Sequence, residues 1–177
     1  EEFRKNGKNP YFIMGGGHGN PGTRAYVNAY KEICDYEDLT DMRFDYIFHA
    51  SGTGTTQAGL VCGQLISGHE NREIVGISIA RKCPYGRDVV VKSIQEYLGE
   101  TQKHLYDDKY VHFVDEYVSG GYGEYTKEIE QTIEAVMCCE GIPLDYTYVG
   151  KAFCGMLNYL EERNVANKKI LFIHTGG

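Results

Sequence analysis

The segment from Ser51 to Gly59 (SGTGTTQAG) puts four hydroxyl side chains and three glycines into nine residues. An apolar run at 45–50 precedes it, and a helical pattern spans 55–67. A strand that ends in such a turn delivers the chain to a helix N-terminus. There the first N–H groups have no intrahelical partners and the dipole end is positive. Gly52 and Gly54 let the backbone close round an anion, and Ser51, Thr53, Thr55 and Thr56 can add hydrogen bonds. The chemistry this predicts is the binding of a phosphate group. A plain capped helix after a glycine turn would need fewer hydroxyls and fewer glycines. The loop is not of the Walker type, because no Gly-Lys-Ser/Thr follows it, and it is not a dinucleotide fingerprint, because Gln57 stands where the third glycine belongs.

Other reactive side chains carry weaker signals. The six cysteines, Cys34, Cys62, Cys83, Cys138, Cys139 and Cys154, form no CxxC pair, and the six histidines show no HExxH spacing. Cysteines in apolar helical stretches read as reduced core residues. Lys82 (in SIARK) reads as a surface lysine, and tyrosines such as Tyr26, Tyr30, Tyr97 and Tyr159 read as packing residues. His174 sits in an apolar strand, where a buried, hydrogen-bonded role is expected. His18 lies in a glycine loop within possible reach of a bound ligand, and 103–109 (KHLYDDK) reads as a solvated turn.

These residues must be held by alternating elements. Apolar or β-branched runs at 45–50, 73–80, 111–117 and 169–175 predict strands, with a further short apolar run at 11–15. Helical patterns lie at 22–36, 55–67, 88–105 (with a start at Pro84), 125–140 and 150–163. Gly141 is a natural C-terminal stop. Strand–helix alternation predicts an α/β fold, a mostly parallel twisted sheet with helices on both faces in three layers. Ligands of such sheets collect beyond the C-terminal strand ends. Three glycine-rich segments fall there: Gly15-Gly16-Gly17, Ser51-Gly52-Thr53-Gly54 and Gly176-Gly177.

Composition bounds the rest. The chain has 177 residues, 42% hydrophobic and 24% charged, which suits one folded domain. A formal net charge of -7 argues against nucleic acid or an anionic membrane as partner. No apolar run is long enough to span a bilayer, and the polar start EEFRKNGKNP lacks a signal-peptide core, so a cytoplasmic protein is expected. The first methionine is Met14, and the last strand has no helix after it. Both ends are therefore expected to be cut, leaving the fold incomplete.

SGTGTTQAGL resembles the phosphate loop of fold-type II pyridoxal-phosphate (PLP) enzymes, which are tryptophan synthase β-like. More narrowly, it resembles that of the D-cysteine desulfhydrase and 1-aminocyclopropane-1-carboxylate (ACC) deaminase family. NPYFIMGGGHGNPGTRAYVNAYKEI, Gly121-Tyr122-Gly123, LDYTYVGKA at 144–152 and ILFIHTGG at 170–177 resemble further family motifs in the family's order. The resemblance covers the whole chain but only about the C-terminal half of such an enzyme. It implies that residues 1–177 are the C-terminal part of the PLP-binding catalytic domain, and that the Schiff-base lysine lies in an absent N-terminal portion. It implies that Ser51, Gly52, Thr53, Gly54, Thr55 and Thr56 hold the PLP phosphate. Thr175 would bond the pyridine nitrogen, and Tyr122 and Tyr148 would act beside the reacting carbon or carboxylate. Lys151 would belong to a helix start.

Two positions bear on the substrate. ACC deaminases carry glutamate where Val149 stands and leucine where Thr175 stands. A hydroxyl partner makes the pyridine ring a weaker electron sink than a carboxylate partner would, which favours prompt loss of a β-substituent. The resemblance therefore implies a lyase for a small amino acid, foremost D-cysteine to pyruvate, sulfide and ammonia, working as a homodimer. Alternatives are an ACC deaminase, a cysteate sulfo-lyase or a diamino-acid enzyme of the same family. Others are a non-catalytic PLP-binding fragment or split-gene partner, and an unrelated binder of a phosphorylated ligand. Tyr146 replaces the family's usual proline. Without the lysine, the chain alone is expected to be inactive.

Overall fold

The computed structural model of the chain describes residues 1–69 and 71–176. Four strands form one parallel sheet: β1 (Tyr46–Ser51), β2 (Glu73–Ser78), β3 (His112–Val114) and β4 (Ile170–Ile173), in the order β3-β2-β1-β4. Ser51 is level with Ser78, and His49 with Ile173, so β1, β2 and β4 end along one edge. The helices are α1 (Glu2–Lys5), α2 (Asn20–Thr40), α3 (Thr55–Ser67), α4 (Tyr85–Gln102), α5 (Lys127–Glu140) and α6 (Val149–Glu162).

Strand alternation divides the core into two layers. Ile47, Ile74, Leu171 and Ile173 face α2, α3 and α4 and pack with Tyr30, Leu60, Val61 and Ile94. Phe48, Ala50, Val75 and Ile77 face α6 and pack with Ala152, Met156 and Tyr159. Each large apolar side chain so buried contributes roughly 1.5–3 kcal/mol. A third cluster, Ile129, Ile133, Leu144, Val149 and Cys154, joins α5 to α6. The three-layer α/β arrangement expected from the alternation is therefore present.

Two glycines one turn apart on α3 bring α2 close. A Cβ at Gly63 would lie 2.5 Å from Tyr30 Cβ, and one at Gly59 would lie 2.4 Å from Tyr26 Cβ. The packing roles expected of Tyr26, Tyr30, Tyr97 and Tyr159 hold. Gly141 takes φ +68° and stops α5.

The structure corrects several expectations. The run at 11–15 forms no strand, and Tyr11, Phe12, Ile13 and Met14 are exposed. Apolar character alone does not make a strand without a neighbouring ladder, and none of the described strands pairs with it. The expected strand at 111–117 shrinks to three residues, because its ladder with β2 ends at Val114. Only part of the cysteine set is in the core: Cys62 and Cys154 are buried and Cys34 partly so, whereas Cys83, Cys138 and Cys139 are exposed. All six are free thiols. His174 is exposed rather than buried, since it lies past the end of β4; its hydrogen bonds are made, one to the Pro143 carbonyl at 2.8 Å. Among the described residues, no helix is long and apolar enough to cross a membrane. Gly177, part of the expected Gly176-Gly177 turn, lies outside the described residues.

Candidate functional site

The loop after β1 is held from below and left open above. Ser51 Oγ donates to Gln57 Oε1 at 3.3 Å, and Gln57 Nε2 donates to the His112 carbonyl at 2.8 Å. That chain ties the turn to the sheet. Gly54 adopts φ +87°, a left-handed conformation that suits glycine, and a Cβ there would sit 3.0 Å from Val90 Cγ2. Among the described residues, no side chain caps α3. Its first N–H groups are therefore free to receive a ligand oxygen.

A cavity of about 520 Å³ opens beyond the strand ends. Gly52, Thr53 and Thr56 line it from the loop, and Thr175 and Gly176 line it from the end of β4. Tyr122 and Tyr148 come from two separate connections. Their hydroxyls are 2.5 Å apart, and the rings meet edge to face at 5.8 Å. The Tyr122 hydrogen bond, and then partial burial, raise the Tyr148 phenol above its usual range, so it stays protonated at neutral pH. Not every expected loop residue reaches this space. Ser51 is buried and bonded to Gln57. Thr55 is buried, with its hydroxyl 3.3 Å from both His18 Nδ1 and Thr53 Oγ1. His18 thus touches the loop from behind the cavity. Val149 is fully buried in the α5–α6 cluster, so Tyr148 is the side chain that this turn delivers to the cavity.

Tyr148 is aimed by a carboxylate. Asp145 Oδ2 accepts from the N–H groups of Thr147 and Tyr148, each at 2.8 Å, and Oδ1 accepts from Val149 N–H at 2.7 Å. An aspartate capping free N–H groups at a helix start is a strong local device. Gly150 makes the turn possible, since a Cβ there would lie 2.3 Å from the Asp145 carbonyl oxygen. Tyr146 leans on Tyr125, with ring centroids 4.6 Å apart.

Arg81 and Lys151 were not anticipated in these roles. Arg81 lines the cavity beside Ile79 and Ala80, as the charged side chain among its described lining residues. Its Nη1 lies 3.4 Å from the Thr53 carbonyl. The signal was its place just beyond β2, at a C-terminal strand end. The neighbouring Lys82 is exposed, as expected. Lys151 lies in the first turn of α6 and is fully buried.

This is an α/β domain shaped to hold a phosphorylated ligand at its strand ends. Residues 1–176 match the family described as pyridoxal-phosphate dependent enzyme. A Pyrococcus furiosus protein provisionally named 1-aminocyclopropane-1-carboxylate deaminase is 37% identical over 183 residues, which cover 100% of this chain and 53% of that protein. The D-cysteine desulfhydrase of Yersinia enterocolitica is 33% identical over 97% of this chain and 51% of its own length. The crystal structure of an ACC deaminase homologue superposes with a TM-score of 0.86 at 36% identity, over 99% of this chain and 51% of that one. The chain belongs to the pyridoxal-phosphate dependent enzyme family, and it spans about half the length of the relatives it matches.

The residues present fit that cofactor. An uncapped helix start, hydroxyls and a nearby guanidinium suit a phosphate, and a hydroxyl at Thr175 can meet a ring nitrogen.

Proposed function

We propose that the complete protein containing this chain is a PLP-dependent lyase that eliminates sulfide from D-cysteine. The observation that carries this reading is the polar content of the cavity. Its described lining offers one guanidinium, two phenols and threonine hydroxyls, including Thr175, and no carboxylate. The reaction balances as D-cysteine plus water giving pyruvate, ammonia and hydrogen sulfide, with the Cβ–S bond broken and the α-proton removed.

In this reading Gly52, Thr53, Gly54 and the first turn of α3 hold the cofactor phosphate. Ser51 and Thr55 shape that loop from beneath, and Thr56 adds a hydroxyl from the cavity side. When bound, pyridoxal phosphate supplies an electron sink for negative charge at the substrate α-carbon. Thr175 meets the ring nitrogen as a neutral partner, which does not hold a proton there as a carboxylate would. The Tyr122–Tyr148 pair keeps a phenolic proton in the cavity, where it can pass to a departing sulfur. Arg81 offers N–H groups to the substrate carboxylate or the phosphate. The chain would form the C-terminal part of the cofactor-binding domain, with the cofactor's lysine supplied by the other half. The proposal includes a homodimer, carried over from the family resemblance, working in the cytoplasm.

A second reading, opening of the ACC ring, is favoured by the names of the relatives above. Against it stands the buried, apolar position of Val149, which brings no acid to the cavity.

Gly52→Asp in the complete protein tests the phosphate assignment cleanly. A Cβ at Gly52 would meet only ordinary contacts, the nearest 3.8 Å away at Ile79, so the fold has room for it. The added carboxylate should weaken PLP binding by at least about tenfold, or ~1.4 kcal/mol, by repulsion of the phosphate. Equilibrium dialysis reads this directly, and unchanged affinity would remove the phosphate from this loop.

A further inference from the structure

The Lys151 ammonium has three N–H donors, and all three go to backbone carbonyls: Ile79 at 3.1 Å, Val118 at 3.0 Å and Gly121 at 2.6 Å. The side chain is fully buried. A buried ammonium is costly unless its donors are satisfied, and here its partners are neutral dipoles. Burial pulls its pKa below the ordinary lysine value, while the charge of Glu124 acts in the opposite direction. The three carbonyls come from two parts of the chain, Ile79 from one and Val118 and Gly121 from the other. Ile79 lines the cavity at the end of β2, and Gly121 immediately precedes Tyr122. Besides Lys151, the segment 118–124 is held by the buried Val118 at one end and by the contact of Tyr122 with Tyr148. Its backbone between these points is loosely tied: Ser119, Gly121 and Gly123 take positive φ values, and its internal backbone bonds are Gly121 N–H to the Val118 carbonyl at 3.4 Å and Glu124 N–H to the Gly121 carbonyl at 3.2 Å.

We propose that Lys151 is a positioning residue, a tethered cation whose ammonium gathers the Ile79, Val118 and Gly121 carbonyls and thereby presents Tyr122 to Tyr148. It touches no substrate and acts through the loop. Because the carbonyl set coordinates a monovalent charge, a free cation of similar size replaces the ammonium when the side chain is shortened. The geometry of this arrangement stands on its own, whereas its consequence for turnover rests on the lyase reading.

The test uses Lys151→Ala in the complete protein, followed by hydrogen–deuterium exchange of the segment 118–124. Exchange there should quicken by at least about tenfold, while the α2–α3 core is unaffected. Potassium chloride should restore protection in a saturable way, and lithium chloride at equal ionic strength should not. Lys151→Met keeps the apolar stem without the charge, so it serves if the alanine variant does not fold; it should show the same local loss with no response to potassium. If D-cysteine is turned over, kcat of Lys151→Ala should fall and recover with potassium, and the loss should shrink in a Tyr122→Phe background. Unchanged exchange at 118–124, or a rise spread evenly over the whole chain, would overturn the proposal. Failure of every substrate in the unmodified protein, with the exchange response intact, would discard the lyase reading and leave the positioning role standing.

Discussion

In the proposed reading, Thr175 and Tyr122, both lining the cavity, are the side chains on which the chemistry turns. Removing the Tyr122 hydroxyl breaks its 2.5 Å bond to Tyr148 and leaves the ring in place. Tyr122→Phe should therefore lower kcat by roughly a hundredfold with little change in KM, as expected for loss of a positioned proton donor. Steady-state kinetics on D-cysteine would show it, and a normal kcat would move the proton transfer elsewhere. A different residue governs stability. His49 is fully buried in β1, donates through Nδ1 to the Ala50 carbonyl, and has no partner for Nε2 among the described residues. Burial depresses its pKa to about 4. The unfolded imidazole titrates near 6.5, so between these values the unfolded chain binds the extra proton. Stability is full above about pH 6.5 and falls as pH drops toward 4, by about 3 kcal/mol in all. Urea unfolding at pH 7 and pH 5 should show about 2 kcal/mol of this loss, and a smaller one in His49→Gln; an equal loss in the two proteins would refute it. At this scale the glycine- and hydroxyl-rich turn into α3 was legible, because glycines and hydroxyls declare themselves by type. Arg81 and Lys151 were not, because a charged residue reads as solvated unless the fold buries it. Nothing in a local pattern reveals that three distant carbonyls will converge on Lys151.

Among the elements, α2 and the turn before β2 are joined by a buried ion pair. Arg72 Nη2 binds Glu37 Oε1, which also accepts from Phe44 N–H at 2.7 Å, and Arg72 Nε donates to the Phe44 carbonyl at 3.0 Å. Arg72→Met would strand a buried carboxylate and should cost about 3–5 kcal/mol, whereas replacing both partners with apolar residues should recover much of it. Denaturant midpoints for the single and double variants would separate these outcomes, and an additive double variant would contradict the pairing. Gly63→Ala should also destabilise, since its Cβ would meet Tyr30 Cβ at 2.5 Å and force α2 from α3. Helices were read well from periodicity: α3 spans Thr55–Ser67, as its pattern required. The ends of β3 and the fate of 11–15 were not legible, because strand pairing depends on partners remote in sequence.

At the scale of the chain, the described residues form a four-stranded parallel sheet between two helical layers, with the cavity where β1, β2 and β4 end. That architecture was legible from strand–helix alternation, and the location of the cavity followed from it. In the proposed reading, the choice of substrate falls to Thr175, Tyr122, Tyr148 and Arg81, which line the cavity at the strand ends. The most direct measurement is product release by the complete protein, supplied with PLP and given D-cysteine, ACC and L-cysteate in parallel. Sulfide and pyruvate from D-cysteine, with no 2-oxobutanoate from ACC, is the expected result. Ammonia and 2-oxobutanoate from ACC, with D-cysteine untouched, would contradict the elimination of sulfide and the role given to the neutral hydroxyl of Thr175.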